Sequence, residues 1–296
     1  MFQCSPWLSE HDQDSVYQTE YDVGFSRVAH AAIIARVNSR TELVRIKVKR
    51  AKHHIDELNT RIDKFFRGGP APYPIIRQEE AETGDLLFKV GKCIPIPDDI
   101  PAIIGDILQN LRTALDHLAW QLVKANGREP IEGQTGFPIA ETSKKYEAML
   151  SRKVEGMRQE AIDKISDLKP YGGGNEDLWG LHELNNVDKH RLLFVVGAAH
   201  RDIRFDVSKF FPTVKLPSHY LVLTPADLAW PLKDGTELFR IMKQARTGHF
   251  DDNPHFTFQI AFGDAEVMKG EPFLPPLHQL SDLIDAIIVS FDALLA

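Results

Sequence analysis

An α+β fold is predicted: mainly a helical bundle with a long N-terminal helix, plus a smaller antiparallel β portion and a C-terminal helix. Three patterns lead there. Val37, Thr41, Val44, Val48, Ala51, Ile55, Leu58, Ile62 and Phe65 follow one another at alternating steps of 4 and 3, the seam along which helices pack lengthwise. Helical spacing returns at Ile104, Ile107, Leu108, Leu111, Leu115, Leu118 and Leu122, and again at Leu277, Leu280, Ile284, Ile287, Phe291 and Leu294. Beyond Gly197 the period drops to two, most cleanly at Phe256, Phe258, Ile260 and Phe262, as half-buried strands require.

In chain order, residues 1–25 read as a tail and the first helix spans about 27–67. Gly68-Gly69-Pro70 ends it, because glycine caps a helix without strain and proline cannot continue the hydrogen-bond ladder. Tyr73 to Gln78 and Leu86 to Lys92 then form a hairpin around the polar turn Thr83-Gly84-Asp85. A helix from Asp99 to about Lys124 stops at Asn126-Gly127, and shorter helices are expected at about 143–151 and 156–167. Pro170 and the glycines 172–174 interrupt the chain before Asn175 caps a helix over 176–196, with Glu176 and Asp177 in the first turn where the helix dipole favours them. The alternations at Ile203, Phe205 and Val207, at Leu221 and Leu223, at Leu238 with Arg240 facing away, and at 256–262 are expected to form an antiparallel meander or small sheet, since the links are short. A helix over about 276–295 closes the sequence. The domain reading is therefore a helical bundle over 26–197 with a β-hairpin insert around 73–92. A β portion and C-terminal helix over 198–296 then pack back on that bundle.

With 296 residues, 43% of them hydrophobic, the chain can bury one large core or two modest ones. No apolar run approaches membrane-spanning length, and residues 1–24 are acidic and polar rather than signal-like, so a cytoplasmic address is expected. Cys4 and Cys93 are the only cysteines, too few for a disulfide framework or a thiolate metal centre. A net charge of −7 argues against indiscriminate coating of nucleic acid. One basic stretch runs against that balance: Arg40, Arg45, Lys47, Lys49, Arg50 and Lys52 against Glu42 alone. Arg45, Lys49, Arg50 and Lys52 are its candidate RNA contacts, and a solvated helix face is the competing reading.

The residues best suited to chemistry lie in Asn110-Leu111-Arg112-Thr113-Ala114-Leu115-Asp116-His117. Arg112 and His117 flank the apolar stripe of their helix on opposite sides, with Asn110 beside His117 and Asp116 one turn from Arg112. Arginine can hold phosphate oxygens and histidine can move a proton near neutral pH, a pair that cleaves a phosphodiester without metal or other cofactor. The second segment is Leu184-Asn185-Asn186-Val187-Asp188-Lys189-His190-Arg191. Here Asn185 and Asp188 interrupt the stripe Leu178, Leu181, Leu192, Val195, and His182, Asn186 and Lys189 share the neighbouring face. Buried amides and carboxylates need partners, so this helix is expected to meet Arg112 or His117 across a polar island. The island serves either as a functional cleft or as a hydrogen-bond network that fixes register.

The segment Asn110-Leu-Arg112-x4-His117, on a helix preceded by a long helix, resembles the Arg-x4–6-His signature of the HEPN superfamily. Its members are helical bundles, commonly dimeric, and many are metal-independent ribonucleases of toxin–antitoxin and phage-defence systems. The resemblance implies that Arg112 and His117 line a cleft formed with a second subunit, supported by Asn110, Asp116, Asn185, Asp188, Lys189 and His190. It also implies a homodimer acting on RNA, with an antitoxin or regulatory protein as a further partner. A non-catalytic binding or scaffold protein of the same fold is the alternative. Thr113 stands where the signature usually has Asn, Asp or His. The pairing with Asp-Lys-His-Arg is also similar to uncharacterised bacterial proteins.

Other signals are weaker. His249, Asp251, Asp252 and His255 read as a turn rather than a metal site. Tyr171-Gly172-Gly173-Gly174 has no lysine placed to cradle a phosphate, and neither a Gly-x-Ser-x-Gly elbow nor a dinucleotide fingerprint occurs.

Overall fold

In the first helix, α1 (Arg40–Arg67), the seam faces inward: Thr41, Val44, Val48, Ala51, Ile55 and Leu58 are buried. Ser39 caps it by accepting from the Glu42 amide at 3.1 Å, and the Gly68 amide closes it on Lys64 O at 2.8 Å. The protein is described from a computed structural model at residues 39–191, 193, 195–199, 203–206, 220–223, 230–243, 256–263 and 272–296. The helix was expected from about 27; its described start is Arg40, and residues 1–38 lie outside the described residues.

A hairpin follows, β1 (Ile75–Glu79) and β2 (Leu86–Val90), paired from Ile75↔Val90 to Glu79↔Leu86. Next comes α2 (Asp99–Ala125), the centre of the core: Ile104, Ile107, Leu108, Leu111, Leu115 and Leu118 are fully buried. It runs antiparallel to α1, Arg61 near the end of one reaching Asp99 at the start of the other at 3.3 Å. Then α3 (Ser143–Lys153), α4 (Gln159–Asp167) and α5 (Glu176–His190) follow, with Asn175 capping α5 through the Leu178 amide at 3.0 Å. The helix expected to reach 196 ends at His190, and Val195 opens β3 (Val195–Ala199). The apolar spacing of Leu192 and Val195 suits either structure, but the β-branched pair Val195-Val196 before Gly197 favours a strand.

The remaining strands are β4 (Ile203–Asp206), β5 (Tyr220–Leu223), β6 (Glu237–Ile241) and β7 (Phe258–Phe262). They are antiparallel as expected but do not form a meander. Among the described strands of this stretch only β4 pairs with its successor; β3 pairs with β7, and β6 joins β2 in the order β1-β2-β6. The reason is visible in β2, where Leu86, Leu87, Phe88 and Val90 are all buried. A strand apolar on both faces belongs in the middle of a sheet, and β6 completes it with Leu238 and Ile241 inward. Residues 39–296 form one compact unit, and strands after residue 198 pair with strands before it.

Two helices close the fold, α6 (Leu274–Ser290) and α7 (Asp292–Leu295), over the region expected to be helical. Both lie against α1: Arg45 makes a bidentate pair with Asp285, and Arg40 donates to Leu295 O at 3.1 Å. Among the described residues no helix is long and apolar enough to cross a membrane.

Candidate functional site

The burial of Leu111, Leu115 and Leu118 leaves α2 with two polar flanks. Arg112 and His117 are five residues apart, hence about 140° apart around the helix, and they face different neighbours. Arg112 turns toward α5 and the loop after α2; His117 turns toward α1.

Arg112 is a clamp. One guanidinium nitrogen donates to Asp116 Oδ1 at 2.8 Å and another to Phe137 O at 2.9 Å, while the Phe137 amide donates to the same Asp116 oxygen at 3.0 Å. Both backbone groups of a fully buried phenylalanine are thereby satisfied, and the Arg112 side chain is 12% exposed. Charge-assisted bonds of this kind are the strong ones. Gly136 passes close to the carboxylate, with room for a Cβ only at 3.0 Å from Asp116 Oδ1.

On α5, His182 joins this neighbourhood. Its Nε2 accepts from the Asn186 amide at 3.0 Å, its ring lies 5.9 Å from that of Trp179, and its buried Nδ1 has no hydrogen-bond partner among the described residues. Burial pushes its pKa down to about 4; Arg112, Lys189 and Lys153 push the same way and Asp116 opposes them. The native imidazole is therefore neutral where an unfolded one, near 6.5, begins to take up a proton. The folded state binds fewer protons, so stability falls as pH drops from about 6.5 toward 4 and levels off below. Discounting for partial exposure, the expected loss is about 1–2 kcal/mol. It is checked by urea midpoints at pH 7 and pH 4.5, where His182→Gln should lose less than the wild type on acidification.

Asn185 is fully buried, and neither its amide nitrogen nor its amide oxygen finds a partner among the described residues. The half-buried Asp188 carboxylate rests on Gly105 of α2 and makes no hydrogen bond among the described residues. Burial, and secondarily Asp106, raise its pKa. These two residues do interrupt the buried face of α5, but the expected partnership with Arg112 or His117 is not formed. Asp116 and the Phe137 carbonyl, a backbone atom, already hold Arg112. Lys189 and His190 are exposed, and Asn110 donates to Asp106 O at 2.7 Å within its own helix.

His117 is exposed and makes no hydrogen bond among the described residues. Its pKa is lowered by partial burial and by Lys47 of α1, against the pull of Asp116. The strip of α2 between its flanks carries Trp120, and α1 carries Leu43 and Ile46, all exposed large apolar side chains. The basic stretch of α1 is mostly paired: Arg45 with Asp285 and Glu42, Lys49 with Glu42 at 2.6 Å, Lys52 with Asp282 at 2.8 Å. Arg50 is exposed.

The chain matches no known protein family, curated protein or solved structure. Function must therefore be read from the groups themselves. The structure gathers Arg112, Asp116, His182, Asn186, Lys153 and Lys189 on the α5 side of α2, and His117 with Lys47 on the other. His182 was visible in the i, i+4, i+7 pattern with Asn186 and Lys189, but nothing in that pattern ties it to Arg112. Among the described residues no three His, Cys, Asp or Glu side chains are grouped to hold a metal; His249, Asp251, Asp252 and His255 lie outside the described residues.

Proposed function

We propose that the chain is a HEPN-like, cytoplasmic, metal-independent endoribonuclease of a toxin or phage-defence type, whose site is completed by a second copy of itself. The observation that carries this reading is His117: an exposed imidazole without a hydrogen-bond partner among the described residues, its pKa lowered by partial burial and by Lys47, at the edge of a strip that presents Trp120. A neutral imidazole can take the proton of an RNA 2′-hydroxyl as its oxygen attacks the adjacent phosphorus; the P–O5′ bond breaks, and the 5′-oxygen takes a proton from water, leaving a 2′,3′-cyclic phosphate and a 5′-hydroxyl. Arg112 has used two of its five N–H groups, and the remainder can hold phosphate oxygens. Because the two residues sit on opposite flanks of α2, one phosphodiester meets both most directly when two strips face each other across a two-fold axis. Arg112 of one copy then lies toward His117 of the other. Arg50 and the ion-paired Arg45, Lys49 and Lys52 would guide the RNA backbone, and an antitoxin or regulatory protein would cover the same face.

The test is cleavage of total RNA in magnesium-free buffer by the wild type, His117→Ala and Arg112→Gln, each first shown to be folded. Both variants are expected to be inactive alone. Mixed in equal amounts they should recover about one quarter of wild-type activity, since half the dimers then carry one intact composite site. The wild-type rate should rise with pH through a value below that of an ordinary histidine. Cleavage by His117→Ala at the wild-type rate would sink the assignment.

One observation favours a second reading, a binding or scaffold protein of the same fold. The Arg112, Asp116 and Phe137 contacts form a closed structural network, as a register lock requires. An RNA-inactive wild type whose Arg112 variant unfolds would support it.

A further inference from the structure

We infer that a cavity at the start of α2 binds a small organic anion with an apolar body, apart from the α2 strip. The cavity measures about 690 Å³, a volume that suits metabolite-sized ligands. The segment leading into α2, the chain running from α5 into β3 and the turn at 231–233 build its walls. Ile94, Pro95, Val195 and Pro231 make it largely apolar, while the exposed Lys233 brings a cation to its rim and Arg191 and Asp98 line it as well.

A second, independent observation points to a ligand. Tyr73 is 3% exposed, its ring packed near those of Phe65, Phe66 and Phe258, yet its hydroxyl makes no hydrogen bond among the described residues. The hydroxyl oxygen abuts Gly197, where a Cβ would lie 2.3 Å from it, and Gly197 is part of the cavity wall. The hydroxyl oxygen is not sealed from the cavity, and only glycine at 197 lets it reach the wall, where it can donate to a bound acceptor. Burial pushes the phenol up to about 12, so it stays protonated and offers a hydrogen rather than negative charge. A donor, the Lys233 ammonium and apolar walls call for an acceptor-rich anionic head on an apolar body. A carboxylate fits that description.

Calorimetric titration of the full chain with 4-phenylbutyrate, and with 4-phenylbutanamide as its uncharged counterpart, tests the site. The carboxylate is expected to bind at least about tenfold more tightly than the amide. Tyr73→Phe and Lys233→Ala should each weaken it by about fivefold or more, while His117→Ala leaves it unchanged. Because Tyr73→Phe removes only an unpartnered oxygen, its unfolding midpoint should equal or exceed that of the wild type. A fall would mean that the hydroxyl already has a partner and would overturn the proposal. So would the absence of saturable binding at about 10 mM carboxylate, equal affinity for the two probes, or binding untouched by Tyr73→Phe.

Discussion

Replacing Arg112 with alanine is expected to destabilise the protein by about 2–4 kcal/mol. The guanidinium is mostly buried and holds Asp116 and the Phe137 carbonyl together. Its loss leaves a half-buried carboxylate without its cation and a carbonyl of the fully buried Phe137 without a donor. Asp116→Asn keeps an oxygen for the Phe137 amide and removes only the charge, so its effect should be smaller, about 1 kcal/mol. Urea unfolding of both variants measures the difference. A loss below about 0.5 kcal/mol for Arg112→Ala would show that the loop holds without the clamp, leaving the guanidinium free for phosphate.

Gly105→Ala is the second large expected effect, a destabilisation of about 1–3 kcal/mol despite alanine's better helix propensity. The new Cβ would lie 2.4 Å from Asp188 Oδ1 and 2.6 Å from its Cγ, so α2 and α5 must separate or the carboxylate must leave. Asp188 makes no hydrogen bond among the described residues, and burial together with Asp106 raises its pKa. Asp188→Ala alone should thus be close to neutral or stabilising at pH 7. In the double variant most of the Gly105→Ala loss should disappear, a coupling that a double-mutant cycle reads directly. The pH dependence carries its own sign. A raised native pKa means that the folded state takes up the proton first, so the Asp188 penalty is present at neutral pH and is relieved as pH falls through that value. The advantage of Asp188→Ala should shrink on acidification; if it grows, the carboxylate has a favourable partner.

The helices were legible because their signals are local: the seam of α1, Gly68 at its end, Asn175 at the start of α5. The strand partners were not, because nothing local to Glu237–Ile241 says that it lies beside Leu86–Val90. The one available hint was the unbroken apolar run in β2, which marks a strand with neighbours on both sides. The site divides in the same way. Periodicity shows that Asn185 and Asp188 interrupt a buried face and that Arg112 and His117 flank α2. It cannot show that Arg112 is satisfied by a backbone carbonyl from a loop, since every residue carries that atom. His182 came close to Arg112 through the crossing of two helices, which spacing within one helix does not encode.

Arg40, which begins α1, holds the carbonyl of Leu295, and this has a consequence for synthesis. The apolar seam of α1 and α2 emerges from the ribosome long before α6 and α7 exist to cover its remaining side. The unit can close only after some 250 residues have been added, a large loop to order in a single step. During that interval the nascent chain presents an oily groove to its surroundings, so the yield of folded protein in the cell should depend on holdase chaperones and on the speed of translation through the β-rich stretch.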